Sequence, residues 1–141
     1  MSHSSEQKPA PDALLVPVSY GEVADKISIL RIKVARVTDP EKLRHVAAEL
    51  GVLEAAYSEV LRGRDKLIIE LSVRLDEVNL QLWDIEDAIR ECERNKNFGA
   101  DFIALARAVY FTNDERARLK REINVVLGSP LVEEKSYAPY S

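Results

Sequence analysis

Two long apolar stripes of nearly equal length, separated by a short polar break, constrain this chain more than any other feature. Ile68, Leu71, Leu75, Val78, Leu82, Ile85, Ile89 and Cys92 recur at helical spacing before the break. Phe102, Leu105, Val109, Leu119, Ile123 and Val126 do the same after it. At 1.5 Å per residue the two helices span about 45 Å and about 40 Å. Matched lengths across the short Asn95 to Gly99 break predict an antiparallel hairpin. Within the second stripe, Val109 and Leu119 are joined by steps of 3, 4 and 3, so the phase survives a polar gap. That favours one continuous helix, although Thr112 with Glu115 offers a capping box for a break there.

The first half of the chain predicts a shorter hairpin beside it. Ser19 and Glu22 form a capping box, with Val18 and Val23 placed as a hydrophobic staple. Val23, Ile27, Leu30, Val34 and Val37 carry the first stripe, and Asp39-Pro40 ends that helix and caps the next. Leu43, Val46, Leu50, Leu53, Tyr57 and Val60 carry the second. Gly63, between Arg62 and Arg64, marks a change of phase; a turn over 62–65 is favoured over one long stuttering helix. Gly128-Ser129-Pro130 stops the last helix. The reading is therefore all-α: an antiparallel bundle of about four helices over residues 18–127. A disordered N-terminal tail is expected over 1–17, and a C-terminal tail, free or docked, over 128–141.

Composition narrows the function classes. With 141 residues the chain is one domain's worth, and a net charge of −4 gives no pull towards nucleic acid or an anionic membrane. The run Arg116-Ala-Arg-Leu-Lys-Arg121 is flanked by Glu115 and Glu122 and has no aromatic platform, so nucleic-acid binding is not expected. One cysteine excludes an internal disulfide. No apolar run approaches a membrane span of about 20 residues, and no signal-peptide run opens the chain, which reads as cytoplasmic. No phosphate loop, nucleophile elbow or zinc pattern is present, and no cofactor is implied. His45, between Glu41 and Glu49, lacks the Glu-x-x-His spacing of di-iron bundles, so no metal site is expected. Asp84, Asp87 and Glu91 share a face that reads as solvated and salt-bridged. Cys92, on its stripe, reads as an inert core thiol.

The informative irregularity is polar. Thr112 and Arg116 occupy successive stripe positions, and antiparallel pairing brings them level with Leu82 and Val78. Asn79 and Glu86 flank the facing stripe, so a polar layer of Asn79, Glu86, Thr112 and Arg116 is expected, with Glu86 as the partner an arginine removed from water requires. The layer could fix helix register, leave Arg116 snorkelling to water, or line a pocket for an anion. A second apolar face on the third helix, Ile69, Val73, Leu80 and Trp83, calls for cover from the first hairpin or from a second copy. Tyr137 and Tyr140 mark the C-terminal tail as a segment that docks on the bundle or on a partner.

Several stretches also resemble an uncharacterised bacterial family of small helical proteins. They are Val18-Ser-Tyr-Gly-Glu22 with Asp25-Lys-Ile27, Leu82-Trp-Asp-Ile-Glu-Asp87 with Ile89-Arg-Glu-Cys-Glu93, and Leu105-Ala-Arg107 with Val109-Tyr110. Thr112-Asn-Asp114, Leu119-Lys-Arg-Glu-Ile-Asn124 and Glu133-Glu-Lys-Ser-Tyr137 complete the set. The resemblance implies a small free-standing bacterial protein and brings no activity with it. The expected function is a helical interaction or accessory module that forms a homodimer through the Trp83 face. The alternative is a small helical enzyme or binder of an anionic metabolite at the polar layer.

Overall fold

The stripes become four helices in a computed structural model that describes residues 12–140: α1 (Tyr20–Arg36), α2 (Pro40–Leu61), α3 (Ile69–Arg94) and α4 (Ala100–Leu127). No strand occurs among the described residues. The disorder expected of residues 1–11 lies outside the described residues, and 12–18 carry no helix.

Local chemistry sets the boundaries. Ser19 caps α1 by accepting from the Glu22 amide at 3.1 Å, and Asp39 caps α2 from the Glu41 amide at 3.3 Å, with Pro40 opening the helix. At the phase change, Arg62 and Gly63 take φ of 48° and 81°, left-handed backbone that no helix continues through. A 3₁₀ turn, Asp65–Leu67, then leads into α3, so residues 62–65 turn the chain. α4 runs unbroken past Thr112, and Gly128 closes it at φ 70°.

α1 is the organising element. It packs against α2 on one side and against both α3 and α4 on the other, while α3 and α4 pair with each other. The core gathers where α1 begins, α3 begins and α4 ends: Ala24, Ile68, Leu75, Val78, Leu119, Ile123 and Leu127 are buried together, with Tyr57, Val60 and Leu61 of α2 packed against them. Burying side chains such as Leu75 and Ile123 stabilises the fold by about 1.5–3 kcal/mol each. Towards the α3–α4 loop the same stripes are only half-buried, Cys92 excepted. α2 contains no buried residue and reaches the core only with its last turns, so the first hairpin docks mainly through α1. Among the described residues, no helix is long and apolar enough to cross a membrane.

Candidate functional site

The densest chemistry lies along the inner face of α1. Gly21, Asp25 and Ser28 recur one turn apart there, all buried, and each hydrogen-bonds a polar side chain from another helix. Asp25 is fully buried. Its Oδ1 accepts from Arg116 Nε at 2.9 Å and from Asn79 Nδ2 at 3.0 Å, while Oδ2 takes the second prong of the Arg116 fork. Asn79 Nδ2 also donates to Ser28 Oγ at 3.1 Å, and Arg116 Nη1 reaches Asn113 Oδ1 at 3.4 Å. The Asp25 hydrogen bond raises the Arg116 pKa above its ordinary value against the opposing effect of burial.

The partner of Arg116 is therefore Asp25, not Glu86. Glu86 lies seven residues along α3 from Asn79, about 10 Å of helix axis. It is exposed and pairs with Arg90 at 2.7 Å. Asp25, on a third helix, is presented directly to the arginine. Thr112 is half-buried one turn from Arg116 and forms no side-chain hydrogen bond among the described residues. Asn79 and Arg116 meet; Glu86 and Thr112 stand apart from them.

One turn earlier on α1, the contact becomes backbone-close. Gly21 N donates to Asn124 Oδ1 at 2.6 Å, and a Cβ at Gly21 would stand 2.3 Å from the Lys120 carbonyl oxygen. Only glycine permits that approach. Tyr20 N donates to Ser129 Oγ at 3.1 Å, so the first three amides of α1 are taken by Ser129, Asn124 and Ser19. Ser19 Oγ in turn donates to Glu133 at 2.8 Å, and Lys120 pairs with Glu22 at 2.7 Å. Burial alone would raise the Glu22 carboxyl, but Lys120 and a hydrogen bond with Glu133 hold it below its ordinary value.

The C-terminal tail runs back along α4 from this point. Glu134 pairs with Arg121 at 2.9 Å, and Lys135 pairs with Asp114. The Tyr140 hydroxyl donates to Asp114 Oδ2 at 2.6 Å, and its ring lies 5.3 Å from Tyr110 and 5.0 Å from Phe111. Tyr137, at 84% exposure, stands away from the helices with only Lys135 near its ring.

The second α3 face is open. Ile69, Val73 and Leu80 are 52%, 54% and 39% exposed and Trp83 is half-buried, so the first hairpin does not cover this face. Cys92 is buried. No cluster of three metal-ligating side chains occurs among the described residues. One shallow cleft lies between α1 and α2 and another beside Tyr20, Glu59 and Arg64; Arg116 lines neither.

Asp25 escaped the sequence reading because it lies beside the α1 stripe rather than on it. The available signal was the small or polar series Gly21, Asp25, Ser28 at spacings of 4 and 3, a second helical face too compact to be solvated. In comparisons with known proteins the chain matches no family model, no curated protein and no solved structure. The site is accordingly read from its own geometry.

Proposed function

We propose that this chain is a cytoplasmic helical interaction module that pairs with a second copy through the outer face of α3. The observation that carries the reading is an imbalance of apolar surface. Among the described residues, ten hydrophobic side chains are buried while twenty large ones are exposed. Three of the exposed ones, Ile69, Val73 and Leu80, lie in one row on α3 with Trp83 at its end. Exposed apolar side chains aligned on one helical face, here with Asp76 and Glu77 between Val73 and Leu80, are features of association sites, and a half-buried tryptophan at the edge is a typical anchor. The polar junction supports the same reading, since the Arg116 fork is filled by Asp25 and is not free to hold an anionic metabolite.

Sedimentation equilibrium tests it. The wild-type chain is expected to run as a dimer, with Leu80→Asp and Val73→Asp monomeric and equally helical, and Trp83→Ala weakened. A wild type that stays monomeric at high concentration rejects the proposal.

A further inference from the structure

The segment that follows α4 is held in two different ways. Up to Glu133 it is part of the fold, because Ser129 and Glu133 bond the first residues of α1. From Glu134 to Tyr140 it crosses the outside of α4 and is exposed throughout. Glu134 pairs there with Arg121 at 2.9 Å. Asp114 then receives two tail residues on one carboxylate, Lys135 at Oδ1 and the Tyr140 hydroxyl at Oδ2. The stretch between them is a short loop pinned at both ends, with Tyr137 facing water.

Beneath this part of the tail lies aromatic surface. Tyr140 lays its ring against Tyr110 and Phe111, and the Arg107 guanidinium stands 5.8 Å from the centre of the Phe111 ring. Even so covered, Tyr110 and Phe111 remain 42% and 45% exposed. Aromatic side chains beside an arginine are the groups that most often dominate contacts between chains. Arg107, Phe111, Asp114 and Arg121 share one face of α4, at steps of 4, 3 and 7. Along that face come rings, then a carboxylate, then a guanidinium. Taken from Tyr140 back to Glu134, the tail supplies the complement: a ring, an amine and a carboxylate.

Ion pairs at such exposure are weak, so the tail stays on this face chiefly because it is tethered. A short flexible linker gives an effective concentration of about 1 mM. An untethered segment of the same chemistry competes once it approaches that concentration or binds more tightly. We infer that Glu134 to Tyr140 is a strap that occupies, in cis, a peptide-docking face on α4. The outside occupant is an extended segment of a partner protein, with adjacent acidic and basic residues and a tyrosine at the spacing that separates Lys135 from Tyr140. This face lies on a different helix from the α3 row, so the inference does not depend on self-association there.

Fluorescence anisotropy with a labelled peptide of residues Glu133 to Tyr140 tests this on the full-length chain. Lys135→Ala with Tyr140→Ala loosens the strap and leaves the α4 face intact. That variant should bind the peptide saturably, with a Kd below about 1 mM. The wild type should bind at least about twofold more weakly, because its own tail competes. Adding Asp114→Ala or Phe111→Ala to the loosened chain should weaken binding about fivefold or more, with an unchanged circular dichroism spectrum. No binding to the loosened chain, equal binding by the wild type, equal binding of a scrambled peptide, or full affinity in either of those added variants each overturns the inference. So does wild-type assembly that grows with concentration and is dispersed by Asp114→Ala but not by Leu80→Asp, which would give the face to the tail of a second copy.

Discussion

The two ends of the α3–α4 hairpin are built from the same kind of sequence and end in different physical states. At the end where α3 begins and α4 finishes, Leu75, Val78, Leu119 and Ile123 are sealed beneath α1, and a polar network crosses the seal. At the other end Ile85, Ile89, Leu105 and Val109 occupy equivalent stripe positions and stay half-buried. The stripe alone does not decide burial. What decides it is a third helix, and the third helix is held where Asp25 and Gly21 can meet α3 and α4. A pattern at helical spacing thus specifies which face is apolar, while the residues beside the pattern specify what covers it.

The largest expected effect comes from breaking the seal at its charge. Asp25→Ala leaves Arg116 and Asn79 without their shared acceptor and should cost about 3–5 kcal/mol in denaturant unfolding. The double change Asp25→Ala with Arg116→Met should recover a substantial part of that loss. A single-variant loss below about 1 kcal/mol would mean that the network contributes little to the difference between the ends.

Core truncation sharpens the contrast next. Leu119→Ala, at a position with 1% exposure, should cost about 2–5 kcal/mol. Leu105→Ala, at a half-buried position of the same helix, should cost less than half as much. Equal losses would show that the open end is covered in solution by something beyond the single chain.

Acid provides a smaller contrast. Glu22 at the junction and Glu91 at the open end both lie below the ordinary carboxyl value, and Glu91 owes this to hydrogen bonds from Arg94 and Asn95. A carboxyl lowered in the native state contributes stability that is complete above about pH 4.5 and is lost as pH falls through its native value. Glu22 is partly sheltered and Glu91 faces water, so Glu22→Gln should flatten the acid limb of the stability profile visibly more than Glu91→Gln. Urea midpoints measured from pH 6 down to pH 3 provide the check.

The smallest effect belongs to the tail, whose residues 130–140 are all exposed. Asp114→Ala removes the carboxylate shared by Lys135 and Tyr140 and should cost no more than about 1 kcal/mol. It should nonetheless speed tryptic cleavage after Lys135, as should high salt on the wild type. Cleavage that ignores both changes would show the tail to be unattached.

Much of this architecture was legible in residue spacing. The caps at Ser19 and Asp39, the loop at Asn95 to Gly99, the unbroken phase through Thr112 and the stop at Gly128 all follow from local rules that act within one or two turns. Arg116 and Asn79 stood out because each interrupts or flanks a stripe. Their acceptor did not, because Asp25 is 54 and 91 residues away from them and no periodicity links the two hairpins. Glu86 lies within the α3–α4 hairpin, where register can be counted, and the real contact of Arg116 lies outside it. The peripheral place of α2 was hidden for the same reason. Its stripe is as regular as the others, and only the three-dimensional packing shows that a single neighbour receives most of it.

The first turn of α1 has its amides bonded by Asn124 and Ser129, and its Ser19 cap by Glu133, partners 103 to 114 positions later in the chain. A ribosome releases the beginning of a protein long before it makes the end. During synthesis, then, α1 has its first turn uncovered until residues 124 to 133 have been made, and Asp25 lacks its arginine until residue 116 has been made. The α1–α2 segment can coil early, but it cannot lock. Folding of this chain is in that sense a closing event, delayed until the start of α1 can meet the end of α4 and the segment after it, and non-local contacts of such separation are the slow ones to form. A message cut short before residue 124 would yield a chain whose defect appears in α1, more than a hundred residues earlier.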